Sequence, residues 1–103
     1  MKNITPFQKR VYALTKKVPR GKVTTYSAIA KKLNSSPRAV GQALRVNPFA
    51  PVVPCHRVIK SDGTIGGFSG ETTGKPIHKK IAMLRNEGVV IKVNRIEKKF
   101  LCW

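Results

Sequence analysis

Hydrophobic residues recur at helical spacing through the first half of the chain. Phe7, Val11, Leu14 and Val18 fall on one face. Ahead of them, Thr5-Pro6-Phe7-Gln8 has the form of a capping box, with Thr as N-cap, Pro at N1 and Gln at N3. Pro19-Arg20-Gly21-Lys22 ends this helix in a turn. Thr25 can cap a second, short helix through Leu33 that buries Ile29 and Leu33. Asn34-Ser35-Ser36 breaks the pattern, and Ser36-Pro37 opens a third helix that runs to about Val46 and is ended by Asn47-Pro48. Two short helices joined in this way fit a helix-turn-helix.

From Pro51 the pattern changes. Val52-Val53 and then Arg57-Val58-Ile59 read as short extended pieces, and Ser61-Asp62-Gly63 as a turn before Thr64-Ile65. Gly66-Gly67-Phe68-Ser69-Gly70 is a glycine-dense loop suited to close approach by a ligand. Residues 76–87 predict a last helix with Ile77, Ile81 and Leu84 inward and Gly88 as its stop. Val89-Val90-Ile91 reads as a strand, and residues 92–103 form a basic-apolar tail without an assigned place. There are no internal repeats and no linker. The expected architecture is α+β: a small, winged helix-turn-helix-like domain, mostly helical with short strands, formed as one unit by residues 1–103.

Size and charge narrow the function. A chain of 103 residues makes one small domain with a compact core, and 41% hydrophobic residues exclude a disordered tail. No apolar run reaches the length of a membrane span. The opening Met-Lys-Asn-Ile-Thr-Pro lacks the apolar stretch of a signal peptide, so the expected location is intracellular, cytoplasm or nucleoid. Lys and Arg number 21 against 4 Asp and Glu, a net charge of +17 that attracts polyanions, nucleic acid foremost. On charge alone, a basic protein suited to solubility or ribosome association is the alternative. The third helix adds detail. Arg38, Gly41, Gln42 and Arg45 share one basic face, while Val40, Ala43 and Leu44 lie opposite. Ala39 and Gly41 have almost no side chain, which lets a nucleic-acid backbone come close. Solvated arginines on a surface helix are the competing reading.

The chain has two cysteines, Cys55 and Cys102, and two histidines, His56 and His78, without a CxxC or HxxxH pair. Neither a metal site nor a cofactor is expected, and an intracellular setting disfavours a disulfide. Pro54-Cys55-His56-Arg57 places a thiol beside an imidazole and a cation. The thiolate is the nucleophile, and positive charge nearby favours it. Adjacency does not prove contact, because neighbours on a strand point to opposite faces; a buried, inert cysteine is the plain alternative. Glu87 weighs against that alternative. It is one of four acids and falls in the last turn of the predicted helix, where the macrodipole disfavours it. An acid kept there needs a fixed partner. His56 is the natural one, giving a Cys–His–Glu relay, and an ordinary ion pair with a lysine is the alternative.

The run from Arg38-Ala39-Val40-Gly41-Gln42-Ala43-Leu44-Arg45 through Asn47-Pro48 to Pro54-Cys55-His56-Arg57-Val58 resembles the O6-alkylguanine-DNA alkyltransferases. The resemblance extends from about Pro6 to Glu87-Gly88. It implies DNA repair by irreversible, single-turnover transfer of an alkyl group from O6-alkylguanine in duplex DNA, with Cys55 as acceptor. By the same resemblance His56 would take the thiol proton through a water and Glu87 would orient the ring. Asn47 would brace the active-site turn, and Tyr26 would help turn the nucleotide out and bond guanine N3. Arg38 would fill the vacated place in the stack, with Ala39, Gly41, Gln42 and Arg45 on the same DNA-facing helix. Ser69 would lie near O6, and backbone groups of Cys55 and Val58 would hold the guanine edge; apart from the resemblance, Phe68 and Gly70 are read as further substrate-binding candidates.

The chemistry explains why such parts go together. In-line displacement at the alkyl carbon is blocked in a packed duplex, so the base must be flipped out. The family often carries an additional N-terminal domain, for which this chain has no room. Phe68 stands where a tyrosine is common, and the stretch 71–80 is long for the family. The implied partner is double-stranded DNA carrying the lesion, met by a monomer, without a membrane; the Trp103 ending leaves room for fusion to another repair domain. Two other classes stand beside this one. The first is a non-catalytic lesion-binding relative, a group that replaces the cysteine retained here. The second is a winged-helix transcriptional regulator, which needs neither the Cys-His pair nor the glycine-rich loop.

Overall fold

The computed structural model describes residues 4–65 and 75–103. Phe68, Ser69 and Gly70, and the glycine-dense loop that holds them, lie outside the described residues.

Three helices form the first half: α1 (Pro6–Lys16), α2 (Tyr26–Leu33) and α3 (Pro37–Arg45). Each begins on a hydroxyl cap. Thr5 accepts from Gln8 N at 3.1 Å while Gln8 returns a bond to Thr5 N at 3.0 Å, and Thr25 and Ser36 accept from Ala28 N and Ala39 N. Asn34 closes α2 at φ 55, in the left-handed region where asparagine is tolerated. Val18 is fully buried but lies beyond α1. Tyr12 does what the apolar spacing alone does not announce: its hydroxyl donates to Ala43 O at 2.7 Å, joining α1 to α3.

The extended pieces differ from expectation. Val52-Val53 lies in a turn, and Cys55–Arg57 is a 3₁₀ turn rather than strand. Regular strand begins at β2 (Val58–Ile59), which pairs in parallel with β1 (Thr24–Thr25), a strand not foreseen in the sequence. Val58 and Ile59 point to opposite faces, as strand neighbours must. Val58 enters a core built on Val11, Ile29, Val40 and Leu44, and Ile59 enters a second core of Val23, Ile65, Leu84, Val89, Ile91 and Ile96. The 3₁₀ turn therefore sits at the seam between the two cores.

The last helix, α4, is Lys75–Asn86, so Glu87 caps it instead of lying in its final turn. Gly88 follows at φ 91; its N–H bonds Arg85 O, and Val89 N bonds Leu84 O at 3.0 Å, a Schellman closure. The predicted strand at 89–91 shifts to β3 (Ile91–Lys92), paired antiparallel with β4 (Arg95–Ile96). Val93 and Asn94, both at positive φ, make the two-residue turn between them. The tail then forms a 3₁₀ turn at Lys98–Phe100 and pairs Leu101 beside Val23. No helix among the described residues is long and apolar enough to cross a membrane.

Candidate active site and nucleic-acid interface

Successive residues of a 3₁₀ turn lie about 120° apart rather than on opposite faces. Cys55, half-buried, and His56, 2% exposed, therefore share the seam between the cores. His56 Nε2 lies 2.9 Å from Glu87 Oε2, which leaves Nδ1 as the ring's other nitrogen. Glu87 has a second partner. Arg57 Nε donates to Oε1 at 2.8 Å and Nη2 to Oε2 at 2.8 Å, a bidentate pair, while Nη1 donates to Val18 O at 2.9 Å. The sequence placed Arg57 as a cation beside the thiol; its charge is instead engaged by Glu87.

These contacts set the charges. Burial alone would push the Glu87 carboxyl up, but hydrogen bonds from Arg57 and then His56 hold it at about 2. Burial lowers His56 from its ordinary 6.5; the hydrogen bond and charge of Glu87 raise it, and the charges of Arg57 and Lys80 lower it again. The net direction is down, so the imidazole favours its neutral, base form.

Lys80 is a residue that the sequence reading missed. Its side chain is fully buried and donates to Val58 O at 2.9 Å and Ile65 O at 2.7 Å. Burial lowers its ammonium to about 8, against the opposing influence of charge on Cys55. The signal was present: Lys80 stands between Ile77 and Leu84 on the inward face of α4. Replacing it by Met should lower stability by about 2 kcal/mol in urea melts. Each carbonyl left without a donor costs roughly 1–3 kcal/mol, partly offset because no ammonium is desolvated. Equal or higher stability would mean that desolvation outweighs the two bonds.

Asn47 holds the turn that precedes Cys55. Its Nδ2 donates to Val53 O at 3.0 Å and its Oδ1 accepts from Phe49 N at 2.9 Å. Val53 O also accepts from Cys55 N at 2.8 Å, so the asparagine and the cysteine backbone meet on one carbonyl. Val58 is buried, its carbonyl accepts from Lys80, and its N–H bonds Cys55 O.

Tyr26 opens α2 and is half-buried; burial first and charge on Cys55 second push its hydroxyl up to about 12. It lines a groove of about 260 Å³ with Ser27, Pro37, Arg38, Gly41, Lys60 and Ser61. Lys60 and Ser61 were not foreseen on this surface. Arg38, Gln42 and Arg45 are exposed along α3, with Ala39 and Gly41 half-buried between them. A Cβ on Gly41 would meet only the Tyr26 ring at 4.0 Å, an ordinary contact. Packing within the domain therefore does not require glycine there. No group of three or more His, Cys, Asp or Glu that could hold a metal occurs among the described residues.

The fold and this geometry define a small helix-turn-helix domain that carries a Cys-His-Glu constellation at the seam between its two cores. The family profile described as "6-O-methylguanine DNA methyltransferase, DNA binding domain" matches residues 6–89, and the chain belongs to that family. A methylated-DNA–protein-cysteine methyltransferase of Thermococcus kodakarensis is 53% identical over 87 residues, which are 84% of this chain and 47% of that protein. The crystal structure of an O6-methylguanine-DNA methyltransferase from Pyrococcus kodakaraensis KOD1 superposes with a TM-score of 0.72 at 50% identity, over 84% of this chain and 48% of the other. Atl1 of S. pombe, in complex with damaged DNA containing O6-carboxymethylguanine, superposes with a TM-score of 0.83 at 29% identity and 99% of both chains. The chain thus spans about half the length of the curated relatives it matches.

Proposed function

We propose that this domain repairs duplex DNA by taking the alkyl group of O6-alkylguanine onto Sγ of Cys55. The observation that carries the reading is Cys55 in a turn beside a buried His56 whose Nε2 is held by Glu87. Through a water, His56 removes the thiol proton; the sulfur forms a bond to the alkyl carbon as the carbon–O6 bond breaks. The departing guanine takes up a proton from solvent and the imidazolium of His56 returns one to solvent, so in balance the thiol proton ends on the guanine. The product is a thioether, so one molecule serves one lesion. Lys80 bonds the carbonyl of Val58 directly after the turn, and its charge interacts favourably with that on the sulfur. Tyr26 stays protonated over the whole physiological range and can donate to guanine N3. Backbone groups of Cys55 and Val58 hold the guanine edge, and Phe68, Ser69 and Gly70 are further candidates for substrate contact. Asn47 braces the turn, and one copy of the chain supplies every group named.

On the DNA side, α3 presents Arg38, Ala39, Gly41, Gln42 and Arg45. A glycine that internal packing does not demand fits a backbone that comes close. Helix-turn-helix proteins usually dock in the major groove; the family resemblance favours the minor groove instead. Arg38→Ala should slow repair of duplex DNA by on the order of tenfold to a hundredfold, the scale of an unstacking cost of a few kcal/mol. Reaction with free O6-benzylguanine should change far less. Equal losses on both substrates would place Arg38 in the pocket or the fold. Duplex binding should also weaken steeply with salt as counterions are displaced.

The whole-chain likeness to Atl1 favours one second reading, lesion binding without chemistry. Intact-mass measurement after mixing with O6-methylguanine DNA decides between them. Alkyl transfer adds one methyl to the protein; a binding protein or a transcriptional regulator adds none.

A further inference from the structure

Glu87 has more partners than a relay from cysteine to histidine requires. A carboxylate that faced only the imidazole would make it a stronger proton acceptor, but it would also favour a standing imidazolium. A charged ring cannot take the thiol proton. In this protein both carboxylate oxygens are gripped by one guanidinium, at 2.8 Å each, and the ring shares Oε2.

Resting on the alkyl-transfer reading, we propose that Arg57 is a positioning residue for that reaction: it is the principal counter-charge of Glu87, so Glu87 orients His56 without charging it. Three features support this. The fork is bidentate and planar, the strongest way to hold a carboxylate in one orientation. Arg57 is itself fixed, because Nη1 donates to Val18 O just beyond the end of α1. Glu87 is also enclosed, its side chain only 8% exposed. With both oxygens bonded to the guanidinium, the carboxylate is held to the arginine as well as to the ring. Among the described residues, Lys80 from the last helix, Glu87 from just after it and Arg57 from its own turn are the charged groups acting on His56. Glu87 alone favours the imidazolium. Burial is the largest influence lowering the ring; Arg57 opposes part of the Glu87 pull and keeps the geometry, which requires Nε2 to carry the proton and Nδ1 to be the free base.

The test combines NMR titration of His56 with single-turnover alkyl transfer against pH, in the full chain and in Arg57→Gln and Arg57→Lys. In the unaltered protein, nitrogen shifts should report the Nε2–H tautomer. Arg57→Gln leaves the Glu87 charge uncompensated, so the His56 midpoint should rise by about one unit. The rate below that midpoint should then fall roughly tenfold, while the rate at high pH changes much less. Arg57→Lys keeps the charge but not the fork and should recover at least half of the shift. A purely structural role would lower rates equally at every pH. The inference is overturned by an Nδ1–H tautomer in the unaltered protein, by an unmoved or lowered midpoint in Arg57→Gln, or by equal shifts in Gln and Lys. If Arg57→Gln does not fold, the tautomer and the Lys variant still decide. If the unaltered protein takes up no alkyl group, the functional reading fails, and the His56 titration still tests the clamp.

Discussion

Cys55→Ser is expected to abolish alkyl transfer while leaving binding to alkylated duplex DNA intact. A serine hydroxyl has the same reach but holds its proton too tightly for His56, an ordinary weak base, to remove it. The change should be mild for the fold. Cys55 packs half-buried against the first core, and its backbone bond to Val53 O does not depend on the side chain. A stability loss of roughly 1 kcal/mol, typical of point changes, is the upper expectation. Cys102 gives an internal control. It is also half-buried, but burial pushes its thiol up, and its N–H is tied to Val23 O at 2.9 Å in the tail. No histidine is among its hydrogen-bond partners in the described residues, so it should remain unmodified. Peptide mapping that found the methyl on Cys102, or a Cys55→Ser protein that still gained mass, would overturn the assignment of the acceptor.

How much of this was legible in the sequence depended on whether the signal was local. Helix caps are local, and Thr5, Thr25 and Ser36 each begin a helix as their side chains predict. The inward set Val40, Ala43 and Leu44 follows from helical period alone. Strand pairing is not local. Thr24–Thr25 is too short to show alternation, and it exists because Val58–Ile59 arrives beside it from across the chain. The tail is unreadable for the same reason, since Ile91, Ile96 and Leu101 find partners only once the second core forms. At the site, the unfavourable helix-end position of Glu87 pointed to a fixed partner. It could not say that the partner would be double, because a carboxylate accepts from two donors as readily as from one. Arg57 was therefore read as a neighbour of the thiol, and Lys80 disappeared among many lysines although its helical position was inward.

Glu87→Gln is expected to slow alkyl transfer by roughly 10²–10⁴, the usual loss when acid–base assistance fails, with DNA affinity nearly unchanged. Glutamine keeps the size and one acceptor oxygen, so the ring can still be touched. The amide cannot hold the guanidinium fork, and Arg57, 16% exposed on its side chain, is left without its counter-charge. Stability should therefore fall as well, on the scale of about 3–5 kcal/mol for breaking a buried pair. An acid tolerated only as an ion pair at a helix end would behave otherwise, since relief from the dipole would leave Gln neutral or slightly stabilising. Because the fold is weakened, the rate must be read per folded molecule, well below the variant's melting temperature. The pH profile then separates mechanism from scaffold. Glu87 raises the His56 proton affinity and Arg57 lowers it, so removing the carboxylate should move the acid limb to lower pH, opposite in sign to Arg57→Gln. The pair's contribution to stability should also follow acid. Glu87 is held at about 2 against an ordinary 4.5, so its share is complete above the ordinary value and disappears as pH falls towards 2. Glu87→Gln should lack that acid-sensitive step. A variant with an unchanged rate per folded molecule and an unmoved acid limb would leave Glu87 as scaffold only, with His56 acting unassisted.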